Sequence, residues 1–287
     1  MIIAVASGKG GTGKTTIAAS LARALTESDV SVTFLDCDVE ATNAHLFLKP
    51  AFDQRRDVNI LIPQVDEALC TGCGRCAEVC EFHAIVVLGG KPLVFSELCH
   101  GCGSCTLECP EMAISEIPQT LGILERGYAS ARISFARGLL NIGEPMAVPV
   151  ISQLKKWGIA GSEEIVILDS PPGTSCPVVE SIRGADFILL VTEPTPFGLH
   201  DLKLAVQLTE KLGIPAGVIV NRDGVGDTKV DDFCQEAGLS ILMRIPLERV
   251  IGEGIAQGKS LIEVHPEYQD YFQQLFAQIQ ERVKTNE

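Results

Sequence analysis

The chain has 287 residues, 46% of them hydrophobic and 21% charged, a balance that supports a sizeable folded core and excludes a long disordered tract. Its formal net charge of −14 argues against nucleic acid or an anionic lipid surface as the main partner, since both would be repelled. No run of 18 apolar residues is present and the chain enters a strand-like stretch without a basic leader, so a cytoplasmic protein with no stable membrane anchoring is expected. In that reducing setting the eleven cysteines, eight of them between residues 70 and 109, read as metal ligands rather than disulfides.

In chain order, the apolar run "IIAVAS" precedes a glycine-rich loop, "TTIAASLARALTES" has helical periodicity, and "SVTFLD" is a second apolar strand. Further on come "EIVILDSPP", "DFILLVTEP", "HDLKLAVQLTEKLG", "PAGVIVN", "DDFCQEAG" and "ILMRIP". Unbroken apolar strands alternating with amphipathic helices predict a doubly wound α/β fold with a mostly parallel sheet covered on both faces. The last helix places Tyr268, Phe272, Leu275, Phe276, Ile279 and Val283 on one face. Its polar face is too acidic for anionic lipid, so that stripe is expected to pack on the sheet.

Gly8 to Thr15 matches G-x-x-x-x-G-K-[ST] between a strand and a helix. In such a loop the backbone amides of Gly8, Gly10, Gly11, Thr12, Gly13 and Thr16 cradle phosphates, Lys14 neutralises them, and the Thr15 hydroxyl meets Mg²⁺. A second lysine, Lys9, stands at the front of the loop, and with it "KGGTGKTT" resembles the deviant Walker A motif of the MinD, ParA and Mrp family of P-loop ATPases. That resemblance implies a homodimer on ATP binding, in which Lys9 reaches the partner's nucleotide and acts like an arginine finger; projection into solvent is the alternative. "FLDCDVEATN" resembles the family's switch I, implying Asp36 near the Mg²⁺ shell and Asp38 as the residue that orients or deprotonates the attacking water. "IVILDSPPGT" resembles its Walker B strand, with Asp169 for Mg²⁺, followed by switch II. Helix capping competes for any single one of these aspartates. Asn221 resembles the residue that bonds the adenine edge, and Pro246, Leu247 and Glu248 resemble the loop around the base, although Asn after a strand is also a turn former. Asn221 does not begin an N-K-x-D sequence, which favours ATP over GTP.

Between Pro63 and Pro118 a 29-residue repeat replaces this alternation: Cys70, Cys73, Cys76 and Cys80 recur as Cys99, Cys102, Cys105 and Cys109. Both runs keep the bacterial ferredoxin spacing C-x₂-C-x₂-C-x₃-C, in which the fourth cysteine serves the other cluster. Two [4Fe-4S] clusters follow, one on Cys70, Cys73, Cys76 and Cys109, the other on Cys99, Cys102, Cys105 and Cys80. Structural zinc is the competing ligand, but needs no third close cysteine per run. Glu81 stands where the ferredoxin pattern has proline, as Pro110 does in the second run. Cys37, Cys176 and Cys234 are expected to pack inertly, a redox role being the alternative.

The expected organisation is a discontinuous P-loop ATPase domain, 1–62 and 119–287, with an inserted ferredoxin-like α+β domain at 63–118. The resemblance implies a Mg²⁺-dependent ATPase whose dimer closure is coupled to electron transfer or redox switching with an unidentified redox or iron–sulfur partner. Two alternatives stay open, a cluster assembly or delivery factor of Mrp type and a positioning ATPase of MinD type. A C-x-x-C pair near the C-terminus, the Mrp-like cargo site, is missing, and the acidic final helix weakens the positioning reading. Amidoligases share the fold but bring a glutamine-hydrolysing domain for which the chain has no room.

Overall fold

The computed structural model describes residues 1–159 and 165–285. Its strands are Ile2–Ala6 (β1), Val32–Asp36 (β2), Ala51–Val65 (β3), Ile85–Leu88 (β4), Lys91–Val94 (β5), Ile114–Ser130 (β6), Ile133–Leu140 (β7), Ile165–Asp169 (β8), Phe187–Thr192 (β9), Ala216–Asp223 (β10) and Ile241–Pro246 (β11). Nine form one sheet in the order β11-β10-β9-β1-β8-β2-β7-β6-β3. Every neighbouring pair from β11 to β7 is parallel, while β6 runs antiparallel to both β7 and β3.

The parallel strands are apolar throughout because consecutive residues enter two different cores. Ile3, Val5, Phe34, Ile167, Leu189 and Val191 face one core, and Ala4, Ala6, Leu35, Leu168, Ile188 and Leu190 face the other. Helix Lys14–Glu27 and the last helix, Tyr268–Thr285, cover the first side through Ile17, Leu21, Phe272, Leu275 and Ile279. Helices Ala147–Ile159, Cys176–Ile182 and Pro196–Leu212 cover the second through Ile151, Leu154, Ile182 and Val206. The expected packing of the final helix on the sheet is thus observed. Among the described residues no helix is long and apolar enough to cross a membrane.

β3 and β6 pair from Ala51 opposite Tyr128 to Val65 opposite Ile114. β7 accompanies β6 only over Gly122–Ser130, so the far half is a two-stranded ribbon open on both edges. Residues 66–113, with the β4–β5 hairpin, sit at its end. Pro63 and Pro118, the limits of the repeat-bearing stretch in the sequence, do not end these strands. They fall inside the ribbon, opposite Glu116 and Leu61, where the open edges tolerate a missing N–H.

Candidate functional site

β1 delivers the chain into the loop Ser7–Gly13, and helix Lys14–Glu27 begins at its end. Gly13 takes φ 95°, and a Cβ there would stand 2.5 Å from Asn221 Nδ2; one on Gly8 would meet the Asp201 backbone at 2.3 Å. The loop therefore closes only with glycine at both positions. It opens onto a cleft of about 640 Å³ whose walls include Gly10, Gly11, Gly13, Lys14, Thr15, Thr16, Asp38, Asn221, Pro246, Leu247 and Glu248. The structure brings these sequence-predicted residues together; Thr12 is buried beneath the loop and Lys9 is turned away from the cleft.

The three strand-end carboxylates differ in what they bond. Asp36, fully buried, accepts from the Asp38 amide at 3.3 Å through Oδ1, and from the Asn43 and Ala44 amides at 3.2 and 3.1 Å through Oδ2. It thereby organises the start of the short helix Ala44–Leu48, the competing role foreseen for such an aspartate. Burial and the neighbouring Asp169 raise its pKa, against the amides that lower it. Asp169, opposite Asp36 in the sheet register and also fully buried, has no aligned donor on either oxygen. Burial pushes its carboxyl up to about 7, with the Thr15 hydroxyl and the Lys14 ammonium pulling it down and Asp38 adding to the rise. An orphaned carboxylate beside a threonine hydroxyl on the wall of this cleft is a donor set suited to a hard divalent cation. Asp38 is half-buried on the cleft wall, its pKa raised by burial and lowered by Lys14.

Asn221 ends its buried stretch of β10 with its amide engaged on both sides: Nδ2 donates to the Thr12 carbonyl at 2.7 Å and Oδ1 accepts from the Arg222 amide at 2.9 Å. It clamps the phosphate loop at the same time as it faces the cleft.

The eight clustered cysteines are all unpaired thiols and divide into two cavities at the end of the ribbon. Cys70, Cys73, Cys76 and Cys109 line one, and Cys80, Cys99, Cys102 and Cys105 line the other. Each cavity takes three thiols from one run and the fourth from the other. Gly72, Gly74, Gly101 and Gly103 all have positive φ, between 65° and 84°, which turns the chain tightly around the thiols. Amides of Ala84, Ala113 and Gly101 donate to the sulfurs of Cys80, Cys109 and Cys99 at 3.2, 3.4 and 3.5 Å. Burial and then neighbouring thiols raise the pKa of Cys76 and Cys105, and both act on Cys99 as well. Phe82 and His100 stack with centroids 3.6 Å apart on the wall of the second cavity. Among the described residues no group of three or more His, Cys, Asp or Glu side chains is arranged around a single ion's position; the thiols line cavity walls instead. Of the remaining cysteines, Cys37 and Cys234 are buried, and burial pushes both thiols up, which suits inert packing. Cys176 is exposed at the first position of its helix.

Residues 3–262 match the CobQ/CobB/MinD/ParA nucleotide binding domain. The chain belongs to this family. It is 31% identical over 275 residues to an uncharacterised protein of Methanocaldococcus jannaschii, covering 92% of each chain. It is 25% identical to an iron–sulfur cluster carrier protein of Aquifex aeolicus, over 93% of this chain and 63% of that protein. In fold it is similar to the septum site-determining protein MinD of Pyrococcus horikoshii, solved with Mg-ADP, at a TM-score of 0.59 and 21% identity, covering 100% and 98% of the two chains.

Two residues beside the phosphate loop of this CobQ/CobB/MinD/ParA family member were not foreseen. Glu193 follows β9 and receives Lys9, whose Nζ lies 3.1 Å from Oε2. Arg222 donates to Glu193 Oε1 at 2.5 Å and to the Gly11 carbonyl at 3.3 Å. A carboxylate closing an all-apolar strand is the pattern that singled out Asp36 and Asp169, and applied to "FILLVTE" it finds Glu193.

Proposed function

We propose that this protein binds and hydrolyses Mg-ATP, closes as a homodimer around it, and couples that closure to electron transfer or redox switching at two [4Fe-4S] clusters held by residues 63–118. In this reading residues 1–62 and 119–287 are the ATPase domain. The loop Gly8–Thr16 holds the phosphates, with Lys14 against their charge. Thr15 and the orphaned Asp169 carboxylate hold Mg²⁺, with Asp36 fixing switch I behind them. Asp38 orients the attacking water, Asn221 and Pro246–Glu248 enclose the base, and Lys9 completes the partner's site.

The observation that carries the cluster assignment is the crosswise division of eight thiols into two sets of four, each lining one cavity. A cluster core fills the space between thiolates that one zinc ion does not span. The amides that donate to sulfur, and the burial that with neighbouring thiols holds Cys76, Cys99 and Cys105 protonated, fit a positively charged iron–sulfide core. When bound, such clusters supply one-electron carriers. Coupling is supported by the chain path: switch I runs through helix Ala44–Leu48 straight into β3, so a displacement at Asp36–Asn43 pulls on the ribbon that carries both cavities.

Relatives that are iron–sulfur cluster carriers favour a second reading, in which the clusters are cargo. Anaerobic purification with iron and sulfide analysis separates the possibilities. About eight of each per chain is expected for two such clusters, with ATP turnover that changes when they are reduced. Stoichiometric zinc without iron refutes the cluster assignment, and release of a cluster to an apo-acceptor on ATP addition moves the function to delivery.

A further inference from the structure

Glu193 sits where the nucleotide chemistry gives it no task, with a side chain only 8% exposed and two cations on it. Lys9 Nζ bonds Oε2 and Arg222 bonds Oε1. A buried carboxylate requires one counter-charge, and losing its last one is strongly unfavourable. Here either cation can leave without stranding the anion. Arg222 has a second hold, its guanidinium on the Gly11 carbonyl and its backbone amide on Asn221 Oδ1. For the Lys9 ammonium, Glu193 is the one hydrogen-bond acceptor among the described residues. The more weakly tethered cation is therefore the lysine whose proposed task lies in another protomer.

We propose that Glu193 is a positioning residue that stores Lys9 in the lone protomer, and that Arg222 keeps Glu193 paired once Lys9 has left for the partner's nucleotide. The inference rests on the reading of Lys9 as a residue acting in trans. Closure then breaks one Lys9–Glu193 contact in each protomer, so the lone state is biased against closing and the partner's ATP must outcompete Glu193. Arg222 sets how readily the lysine is given up, since it already neutralises the carboxylate.

Two variants test this, Glu193→Gln and Arg222→Ala. Lys9 reactivity toward an amine-acylating reagent is read by mass spectrometry in nucleotide-free protein, and ATP-dependent dimerisation by sedimentation velocity over a range of protein concentrations. E193Q is expected to acylate faster at Lys9 and to dimerise more tightly. A partly exposed ion pair is worth about fivefold per protomer, or about 25-fold in the dimer Kd because two contacts break. R222A is expected to move both readouts the other way, because Lys9 becomes the sole counter-ion of Glu193. Damage to packing would weaken dimerisation in both variants alike, and that common direction overturns the proposal. So does unchanged Lys9 acylation in E193Q, which removes the storage contact itself. Should E193Q fail to fold, slower acylation in R222A still carries the test and unchanged acylation there still defeats it. The variant Lys9→Ala separates the two layers: if it dimerises normally with ATP, the trans role is what has failed.

Discussion

Replacing Asp169 with asparagine should make the nucleotide-free protein more stable while removing its response to Mg-ATP. Asp169 is buried without an aligned donor, and its carboxyl is raised from 3.8 to about 7. At about 1.36 kcal/mol per unit, three units amount to about 4 kcal/mol of penalty on the charged form; with the new amide buried at about the cost of the protonated carboxyl it replaces, the expected gain is of the same size, about 4 kcal/mol. The sign follows from linkage. An acid whose folded pKa is raised binds its proton more tightly in the folded state, so the wild type loses stability as pH rises from about 4 to about 7. D169N lacks that ionisation, and it also relieves Asp36, which Asp169 raises. The difference between the two proteins should therefore be near zero at the acid end of this window and full above pH 7. Urea unfolding in EDTA measures it, followed by far-UV circular dichroism and by the single tryptophan, Trp157, on a helix that packs on the main sheet. Adding Mg-ATP should then stabilise the wild type and leave D169N unmoved. A variant no more stable than the wild type at pH 8, or a difference independent of pH, refutes the view of Asp169 as a carboxylate kept uncompensated for a cation.

Lys14→Ala should abolish ATP binding in calorimetry, because Lys14 is the buried lysine on the cleft, whereas Lys9→Ala should bind ATP normally and fail to dimerise with it in light scattering. Asp38→Ala should retain ATP and accumulate as a closed dimer, with steady-state hydrolysis lowered by about 10²–10⁴-fold, the range for losing a positioned base; a rate within twofold of wild type would assign the water to another residue. Cys73→Ser, in the first cavity, should lower the iron content of anaerobic protein while ATP binding persists, since the sheet has its own core; loss of ATP binding as well would tie the cysteine cavities to the integrity of that sheet.

The parallel sheet was legible because strands buried on both faces leave continuous apolar runs, and "MIIAVAS" or "DFILLVT" admits little else. The phosphate loop and the strand-end aspartates were legible for the same reason, since their places follow from those strands. The ribbon was not. In β3 the stretch Ala51–Asp57 is exposed at every residue, so neither face imposes alternation and the hydrophobic pattern is silent. Pro63 and Pro118, which bound the repeat in the sequence, lie within these paired strands. Which contacts Lys9 and Asn221 make was also invisible, because both depend on residues more than 180 positions away. Asp36 shows a different limit: its motif resembles one that would stand beside the nucleotide, while its oxygens are taken up by three backbone amides of the next turn.

That uninformative stretch of β3 has a use of its own. β3 is the outermost strand of the nine, and an unpaired edge of this length is a template on which further strands can stack into aggregates. Asp53, Gln54, Arg55, Arg56 and Asp57 stand on it exposed, and docking another strand there would strip water from guanidinium and carboxylate groups. The opposite edge, β11, is only six residues long and ends in Pro246, which offers no N–H to an incoming strand. Both rims of the sheet are thus guarded against self-association through hydrogen bonding, one by charge and one by brevity and proline. Substituting Val or Thr through Asp53–Asp57 would remove the first guard and should make the protein prone to β-rich aggregation.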